Sequence, residues 1–309
     1  MLALLCPGQG SQNSSMFSLT GGAQDATDLF ARAAVLLGGT DPRRMVQSES
    51  IESLRINRTA QILCVLQALS AAAVLRSSLS RSFVVAGYSV GELASWAIAG
   101  AVDPIATLEL AARRAEFMDS ETGPTDGLLF VRGLRRSHIN VLCNVFRVDL
   151  AIVNPDDAVV LGGPAAALAE VAIAARARGA TRVVAVHVGV ASHTKRLAPA
   201  AARFRSCLDS TKVHFPLASG VRLLSGIDGA PVFQASVGLD KLAAQIAQTV
   251  DWNACLHACL EAGANAFLEL GPGSSLTDML RHAFPGVRSR SLDEFKSIDG
   301  VKAWVSGIS

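Results

Sequence analysis

The sequence has little charge and few aromatic side chains. Only 17% of its 309 residues are charged and 5% are aromatic, with a single tyrosine, Tyr88. Disorder needs low hydrophobicity and a high net charge, but half of this chain is hydrophobic and its net charge is only +2, so disorder is excluded. The near balance of 28 basic and 26 acidic residues gives no basic domain for nucleic-acid binding. Small aliphatic residues predominate, which favours helices packed on a buried parallel sheet.

Cysteines are few and scattered, six in the whole chain, which is too low a density for a disulfide scaffold. The apolar N-terminus has no basic segment, and its apolar run ends at Pro7, so no secretory signal is predicted. The most apolar long stretch, residues 158–175, is interrupted by Pro164 and Glu170, and no membrane-spanning segment is predicted. A reduced, cytoplasmic protein is the simplest interpretation.

Short apolar strands alternate with helices in the first part of the chain. The predicted elements are, in order, residues 2–6 (strand), 61–76 (helix), 82–86 (strand), 90–99 (helix) and 104–118 (helix). A further strand, residues 267–270, ends at a Gly-Pro-Gly turn. This alternation predicts an α/β fold with a parallel sheet.

The middle of the chain has a different order of elements. It is predicted as strand, helix, two strands joined by a Pro-Asp-Asp turn, helix and strand, at residues 127–132, 137–146, 150–154, 158–162, 164–178 and 181–188. This order is the ferredoxin-like arrangement. We therefore predict an inserted subdomain of residues 125–188 within a large domain formed by residues 1–124 and 189–309.

One turn has the form of a nucleophile elbow. Residues 87–91 read GYSVG and lie between an apolar strand and a predicted helix, the context that the G-x-S-x-G pattern requires. Its glycines allow a sharp turn and a close approach of helix and strand. Ser89 is then placed at a helix N-terminus, where the backbone N–H of Val90 can donate to an oxyanion. The alternative is an ordinary strand-to-helix turn that happens to carry a serine.

Of the six histidines, His193 is the best placed to act as a base for this serine. It follows a strand and a loop of small residues, a suitable position for a catalytic group. The others have a structural explanation or no supporting context: His138, His187, His214, His257 and His282. The cysteines flanking one of them, at positions 255 and 259, do not predict a metal site, since on a helix the histidine between them points away from both.

A glycine-rich loop, PGQGSQ, follows the first strand at residues 7–12. It contains G-x-G, but Asn13 replaces the third glycine of the dinucleotide-binding fingerprint, which therefore fails. A better interpretation is that its backbone N–H groups lie at a strand end and complete an oxyanion hole.

Together these segments resemble the malonyl-CoA:acyl-carrier-protein transacylase family. The matching segments follow the family's order and span almost the whole chain: residues 7–12 (PGQGSQ), 87–92 (GYSVGE), Arg114 with Phe117 and Met118, 190–193 (VASH) and 271–273 (GPG). The resemblance implies a large α/β-hydrolase-like domain with an inserted ferredoxin-like subdomain.

The resemblance also implies site roles. Ser89 would be the nucleophile and His193 its base, with the backbone amides of Gln9 and Val90 as the oxyanion hole. Arg114 would pair with the free malonyl carboxylate, since a guanidinium binds a carboxylate through two parallel hydrogen bonds. Without the resemblance, this arginine would be interpreted as a surface cation between two charged neighbours.

Two further placements follow from the family pattern. Its histidine is usually oriented by a main-chain carbonyl, which we expect here near residues 250–251. Asn154 is a candidate for lining the acyl or pantetheine site.

Within the family, Tyr88 and the SGIDGAP segment at residues 225–231 resemble the epsilon subunit of malonate decarboxylase. The fatty-acid enzymes usually carry histidine before the serine. The implied substrate is malonyl-CoA, and the implied partner is the acyl-carrier subunit of malonate decarboxylase, whose prosthetic group is a dephospho-CoA derivative. No cofactor or metal is expected on the chain itself, and no nucleic-acid or membrane partner.

Three alternatives remain: a malonyl-CoA transacylase of fatty-acid synthesis, a serine esterase, and a non-catalytic scaffold subunit. An α/β-hydrolase esterase carries its histidine late in the chain, whereas residues 194–309 follow His193 here. Because carrier proteins are usually acidic, basic residues are expected at the mouth of the site: Lys195 and Arg196, with Arg132, Arg135 and Arg136 as further candidates.

Overall fold

The computed structural model describes residues 1–123, 125–186 and 188–308, and these form two five-stranded sheets with helices packed around them. The strands are β1 Leu2–Cys6, β2 Phe83–Gly87, β3 Asp126–Arg132, β4 Asp149–Asn154, β5 Ala158–Pro164, β6 Arg182–Val186, β7 Val221–Leu223, β8 Val250–Asp251, β9 Ala266–Glu269 and β10 Arg288–Ser291. The helices are α1 Thr27–Leu36, α2 Pro42–Ser48, α3 Ile51–Leu54, α4 Asn57–Leu75, α5 Gly91–Ile98, α6 Pro104–Glu121, α7 Arg136–Phe146, α8 Ala165–Ala177, α9 Ala198–Asp209, α10 Ala235–Ala244, α11 Trp252–Glu261, α12 Ser275–Ala283 and α13 Ile298–Ser306.

The first sheet is parallel throughout, with strand order β10-β9-β1-β2-β7. Strands β1, β2 and β9 are buried along their whole length, as expected for a sheet covered on both faces. The register pairs Cys6 with Gly87, so β1 and β2 end side by side. The glycine-rich loop and the Ser89 turn therefore leave the same edge of the sheet at adjacent positions.

The central helix of this layer is α4. By length and composition alone it could cross a membrane, but 78% of its most apolar stretch is buried inside the protein. Its apolar residues pack in the large core that also contains β1, β2 and β9. The apolar stretch at residues 158–175 is likewise used internally, as strand β5 and the first part of helix α8.

The second sheet is built mainly from the middle of the chain, in the order β6-β3-β5-β4-β8. The first four strands are antiparallel, and with α7 and α8 they form the β-α-β-β-α-β order predicted from the sequence. The three-residue turn between β4 and β5 has positive φ at Asp156 (59°) and Asp157 (50°), a backbone conformation that aspartate adopts more readily than most residues. This sheet has a separate small core under its two helices.

The fifth strand comes from outside the predicted insertion. Val250–Asp251 pairs in parallel with β4, so the part of the chain predicted to form the large domain supplies one edge strand of the second sheet. The predicted boundaries at residues 124/125 and 188/189 stay a prediction. Pro124 and His187 lie outside the described residues, and of these two only His187 was predicted to lie in a strand.

Candidate active site

The turn after β2 depends on its two glycines. A Cβ atom at Gly87 would lie 2.2 Å from the Glu92 nitrogen, and one at Gly91 would lie 2.0 Å from the Cys6 oxygen. Both distances are far below van der Waals contact, so neither position accepts a side chain. Ser89 itself has φ of 55°, in the left-handed region that non-glycine residues seldom adopt. The packing of strand against helix therefore holds the serine in a strained turn.

His193 lies beside this serine, with its Nε2 atom 2.8 Å from the Ser89 Oγ. Its other ring nitrogen, Nδ1, is hydrogen-bonded to the main-chain oxygen of Gln245. A carbonyl only accepts, so Nδ1 carries the proton and Nε2 is left free to accept one from the serine hydroxyl. The His193 backbone has φ of 62°, and its N–H donates to the Ile246 oxygen at 2.9 Å.

The ring of His193 is buried, and burial together with the nearby positive charge of Arg114 lowers its pKa to about 3, against the opposing effect of the Gln245 carbonyl. The imidazole is therefore neutral at pH 7, which is the form that acts as a base.

The position expected for the orienting carbonyl, near residues 250–251, is wrong. Gln245 caps the C-terminus of α10, where carbonyl groups have no partner within the helix, so its oxygen is free to accept from His193. Strand β8 is engaged in the second sheet instead, and the Asp251 side chain caps α11 by accepting from the Ala254 N–H at 2.9 Å.

The glycine-rich loop packs directly against the Ser89 turn. A Cβ at Gly8 would lie 3.0 Å from the Tyr88 oxygen and 3.5 Å from the Ser89 Cβ. Gln9 follows at the rim of the same cavity, and Val90 caps the N-terminus of α5. Within the described residues, neither of these two backbone N–H groups donates a hydrogen bond to the protein. The structure therefore places two free donors next to the serine.

Arg114 is 2% exposed, so its interpretation as a surface cation is wrong. Its Nη1 donates to Gln61 Oε1 at 2.7 Å and its Nη2 to Gln245 Oε1 at 3.1 Å. The exposed neighbour Arg113 makes the ion pair expected at the surface, with Glu116 at 3.2 Å. Burial lowers the pKa of Arg114 to about 10, which still leaves the guanidinium charged at pH 7.

Sequence reasoning missed the residue that connects these groups, Gln245. Its side-chain Nε2 donates to the Ser89 main-chain oxygen at 3.0 Å and to Glu92 Oε2 at 2.8 Å, while its Oε1 accepts from Arg114. Together with its carbonyl, this one residue contacts the serine, the histidine and the arginine. The end of a helix is the only local signal at this position, and it does not distinguish Gln245 from other helix ends.

Glu92 completes this buried network. Burial raises its pKa to about 7, an effect opposed by hydrogen bonds from the Gly226 backbone and the Gln245 amide and by the charge of Arg114. A Cβ at Gly226 would lie 2.6 Å from the Glu92 Oε2, so the segment at residues 225–231 packs beneath the Ser89 turn.

The serine, the histidine and the arginine all line one cavity of about 270 Å³ between the two sheets. Asn154, at the end of β4, also lines it. Its amide faces the Tyr88 hydroxyl without a well-formed hydrogen bond. Tyr88 packs edge-on against Trp252, with ring centroids 5.4 Å apart, and burial raises its pKa to about 12.

The basic residues after His193 and the histidine between the two cysteines do not line this cavity. Lys195 and Arg196 are exposed just beyond His193, and Arg196 pairs with Asp126 at 3.0 Å. His257 packs on the Phe284 ring, 5.1 Å between centroids. Across residues 1–123, 125–186 and 188–308, no group of three or more His, Cys, Asp or Glu side chains is arranged to hold a metal ion.

Residues 3–296 match the family of acyl transferase domains. The chain belongs to this family. A serine hydroxyl beside a neutral histidine is an arrangement that can support nucleophilic catalysis.

The chain is 33% identical to a malonyl CoA-acyl carrier protein transacylase of Mycobacterium tuberculosis, over 97% of this chain and 98% of the relative. It is 27% identical to a protein of the same name from Synechocystis, over 97% and 99% of the two chains. The crystal structure of MCAT from Mycobacterium tuberculosis superposes with a TM-score of 0.89 at 30% identity, covering 98% of this chain and 99% of that one. The predicted α/β fold is confirmed by this likeness.

Proposed function

We propose that this acyl transferase moves a malonyl group from malonyl-CoA to the thiol of an acyl-carrier protein through a malonyl ester of Ser89. The observation that carries the proposal is the 2.8 Å contact between the Ser89 Oγ and the neutral Nε2 of His193, in a cavity that also contains a buried guanidinium.

In the first half-reaction the Ser89 hydroxyl attacks the thioester carbonyl while His193 takes its proton. The oxyanion formed on the carbonyl accepts hydrogen bonds from the N–H groups of Gln9 and Val90. The carbon–sulfur bond then breaks, CoA leaves as a thiol with the proton from His193, and the malonyl group stays as a serine ester.

The second half-reaction reverses these steps with a different thiol. The carrier thiol gives its proton to His193 and attacks the ester carbonyl, and Ser89 recovers its proton as the new thioester forms. Water must lose this competition, which a narrow and partly apolar cavity favours. Apolar side chains of the second sheet line the wall opposite the serine: Leu128, Phe130, Ile152, Val160 and Val186.

The choice of malonyl follows from Arg114. Its contacts to the two glutamine oxygens use one N–H on each terminal nitrogen, so donors remain for a ligand. A terminal carboxylate in the cavity would pair with this guanidinium through two charge-assisted hydrogen bonds. An acyl group without a carboxylate leaves a buried charge without its partner.

The identity of the carrier has two candidates. Both relatives described above are named for malonyl CoA and acyl carrier protein, which favours the alternative, a transacylase that loads an acyl-carrier protein of the general type, over the malonate decarboxylase role. The case for the second candidate, the carrier subunit of malonate decarboxylase, rests on the sequence resemblance at Tyr88, a residue that lines the cavity. The segment at residues 225–231 does not line the catalytic cavity and supports neither.

The test is to supply malonyl-CoA with each of the two carriers in turn and measure malonyl-carrier formation and free malonate. Transfer to a carrier with little hydrolysis is the expected result, and the faster carrier identifies the partner. Net hydrolysis with no transfer to either carrier would identify an esterase and contradict the proposal.

A further inference from the structure

A second cavity, of about 490 Å³, continues outward from the catalytic one. Five residues line both: Phe130, Asn154, Val186, Ser275 and Met279. The two cavities therefore form one cleft between the second sheet and helix α12.

The floor of the cleft is a face of the β3–β6 ladder. The register pairs Leu128 with Val186, Phe130 with Val184, and Arg132 with Arg182. Alternate residues of a strand share a face, so these three pairs lie in a row on one side of the sheet. The first pair lines the catalytic cavity and the last pair the outer one, about 13 Å further along at about 3.3 Å per residue.

The outermost pair places two positive charges directly opposite each other. Like charges in this position destabilise a sheet. Within the described chain neither arginine forms an ion pair, and the buried Nε of Arg132 has no hydrogen-bond partner. The Arg182 guanidinium lies over the Phe130 ring at 5.7 Å. An apolar strip thus ends in a pair of cations that lacks a counter-charge.

The other ionisable side chains that line the outer cavity lie next to partners of their own. Asp278 accepts from the Ser274 hydroxyl at 3.0 Å and lies 3.8 Å from Arg281. His282 lies 3.8 Å from Asp156. Neither is paired with the two arginines.

We propose that Arg132 and Arg182 bind the diphosphate of a CoA thioester, whose flexible arm lies along the apolar strip with its acyl end at Ser89. Guanidinium groups bind phosphate oxygens through forked hydrogen bonds, and the two arginines match the two phosphates of a diphosphate. This assignment rests on the proposed transfer from malonyl-CoA. It also gives Arg132 a role in binding the donor instead of the carrier surface for which the sequence made it a candidate.

The experiment compares malonyl-CoA with malonyl-pantetheine, which has the same thioester and no phosphate. Acylation of Ser89 is followed in single turnovers for the wild type, Arg132→Gln and Arg182→Gln. Arg135→Gln, an exposed arginine outside the cleft, is the control for a change of net charge. For malonyl-CoA the half-saturating concentration should rise about 10- to 100-fold in each cleft variant, at an unchanged maximal rate. Malonyl-pantetheine should react equally with all four proteins.

Equal effects on both thioesters, or none on either, would overturn the inference. So would cleft variants that acylate normally but transfer slowly to the carrier, since the arginines would then belong to the carrier surface. Calorimetric binding of CoA itself is independent of acylation. Should Ser89 fail to acylate, weaker CoA binding by the two variants would support the anion site even though the proposed function had failed, and unchanged binding would contradict it. Both variants remove like-charge repulsion, so neither should unfold at a lower temperature than the wild type.

Discussion

The two walls of the cleft are built in different ways. The wall formed by the parallel sheet presents polar groups tied into one buried network, in which Gln245 contacts Ser89, His193, Glu92 and Arg114. The wall formed by the second sheet presents a strip of apolar side chains that ends in two arginines, and the residues described there form no such network.

The difference separates the two tasks of a transferase. The networked wall fixes the reacting atoms and the far end of the acyl group, which must be held within tenths of an ångström. The apolar wall has only to guide a long, flexible arm, for which a strip of the right length is sufficient. Changes on the first wall should therefore affect the chemistry or the choice of acyl group with any donor, whereas loss of either arginine on the second should affect only donors that carry the diphosphate.

Removing the base tests the first wall most severely. His193→Asn should slow Ser89 acylation by about 10²–10⁴-fold, because the serine loses its general base. Asparagine is the best-matched replacement, since it tolerates the positive φ of this position. Rapid-quench acylation with malonyl-CoA and malonyl-pantetheine should give the same factor. A loss confined to one donor would show that His193 does not act on the thioester that the two donors share.

The next largest effect is expected on the preference for malonyl over acetyl groups. Arg114→Ala should reduce the preference for malonyl-CoA over acetyl-CoA on the order of 10²–10³-fold, because the carboxylate loses a buried charged partner. Arg114→Lys should recover part of this preference, since an ammonium cannot form the fork. The measurement is kcat/KM for both thioesters, with Arg113→Ala as the exposed control. An equal loss on both thioesters would make Arg114 a structural residue.

The role of Glu92 in the buried network can be tested through the pH dependence of the free energy of unfolding. Its pKa is raised in the folded state from 4.5 to about 7, so the folded protein binds the extra proton and its stability falls as pH rises through that interval. Glu92→Gln should remove on the order of 2–3 kcal/mol of this fall between pH 4.5 and 8, measured by denaturant unfolding. Glu269, also buried with a pKa raised to about 7, stays in both proteins and serves as the internal reference. Identical pH profiles would contradict the assignment.

The smallest effect is expected for Lys195, which is exposed just beyond His193. Lys195→Ala should slow transfer to the carrier about two- to fivefold and leave Ser89 acylation unchanged, because an exposed charge contributes little. The difference should disappear at high salt, since the Debye length is already about 8 Å at 0.15 M. A defect that persists at high salt would rule out the electrostatic explanation.

Local patterns predicted much of this molecule. The Ser89 turn could be recognised because glycines are required where the strand and the helix approach each other closely. The subdomain could be recognised because each of its strands and helices shows the spacing of apolar residues typical of its type and is bounded by turn residues. His193 followed from its position after a loop of small residues.

Contacts made across the chain could not be predicted in this way. Gln245 is 52 residues from His193 and 156 from Ser89 in sequence, and only packing brings them together. Arg114 reads as a surface cation because its neighbours are charged, and its burial is decided by the opposing helix α4. The two-residue strand β8 is too short for any periodic signal, and its pairing with β4 depends on how the layers meet.

The role of Ser89 as the nucleophile is tested most directly by the intact mass of the protein after addition of malonyl-CoA without a carrier. The wild type should gain one malonyl group, and Ser89→Ala, which fits the same turn, should gain none while its unfolding temperature stays close to that of the wild type. A Ser89→Ala protein that still carries the malonyl group would show that another residue is the nucleophile.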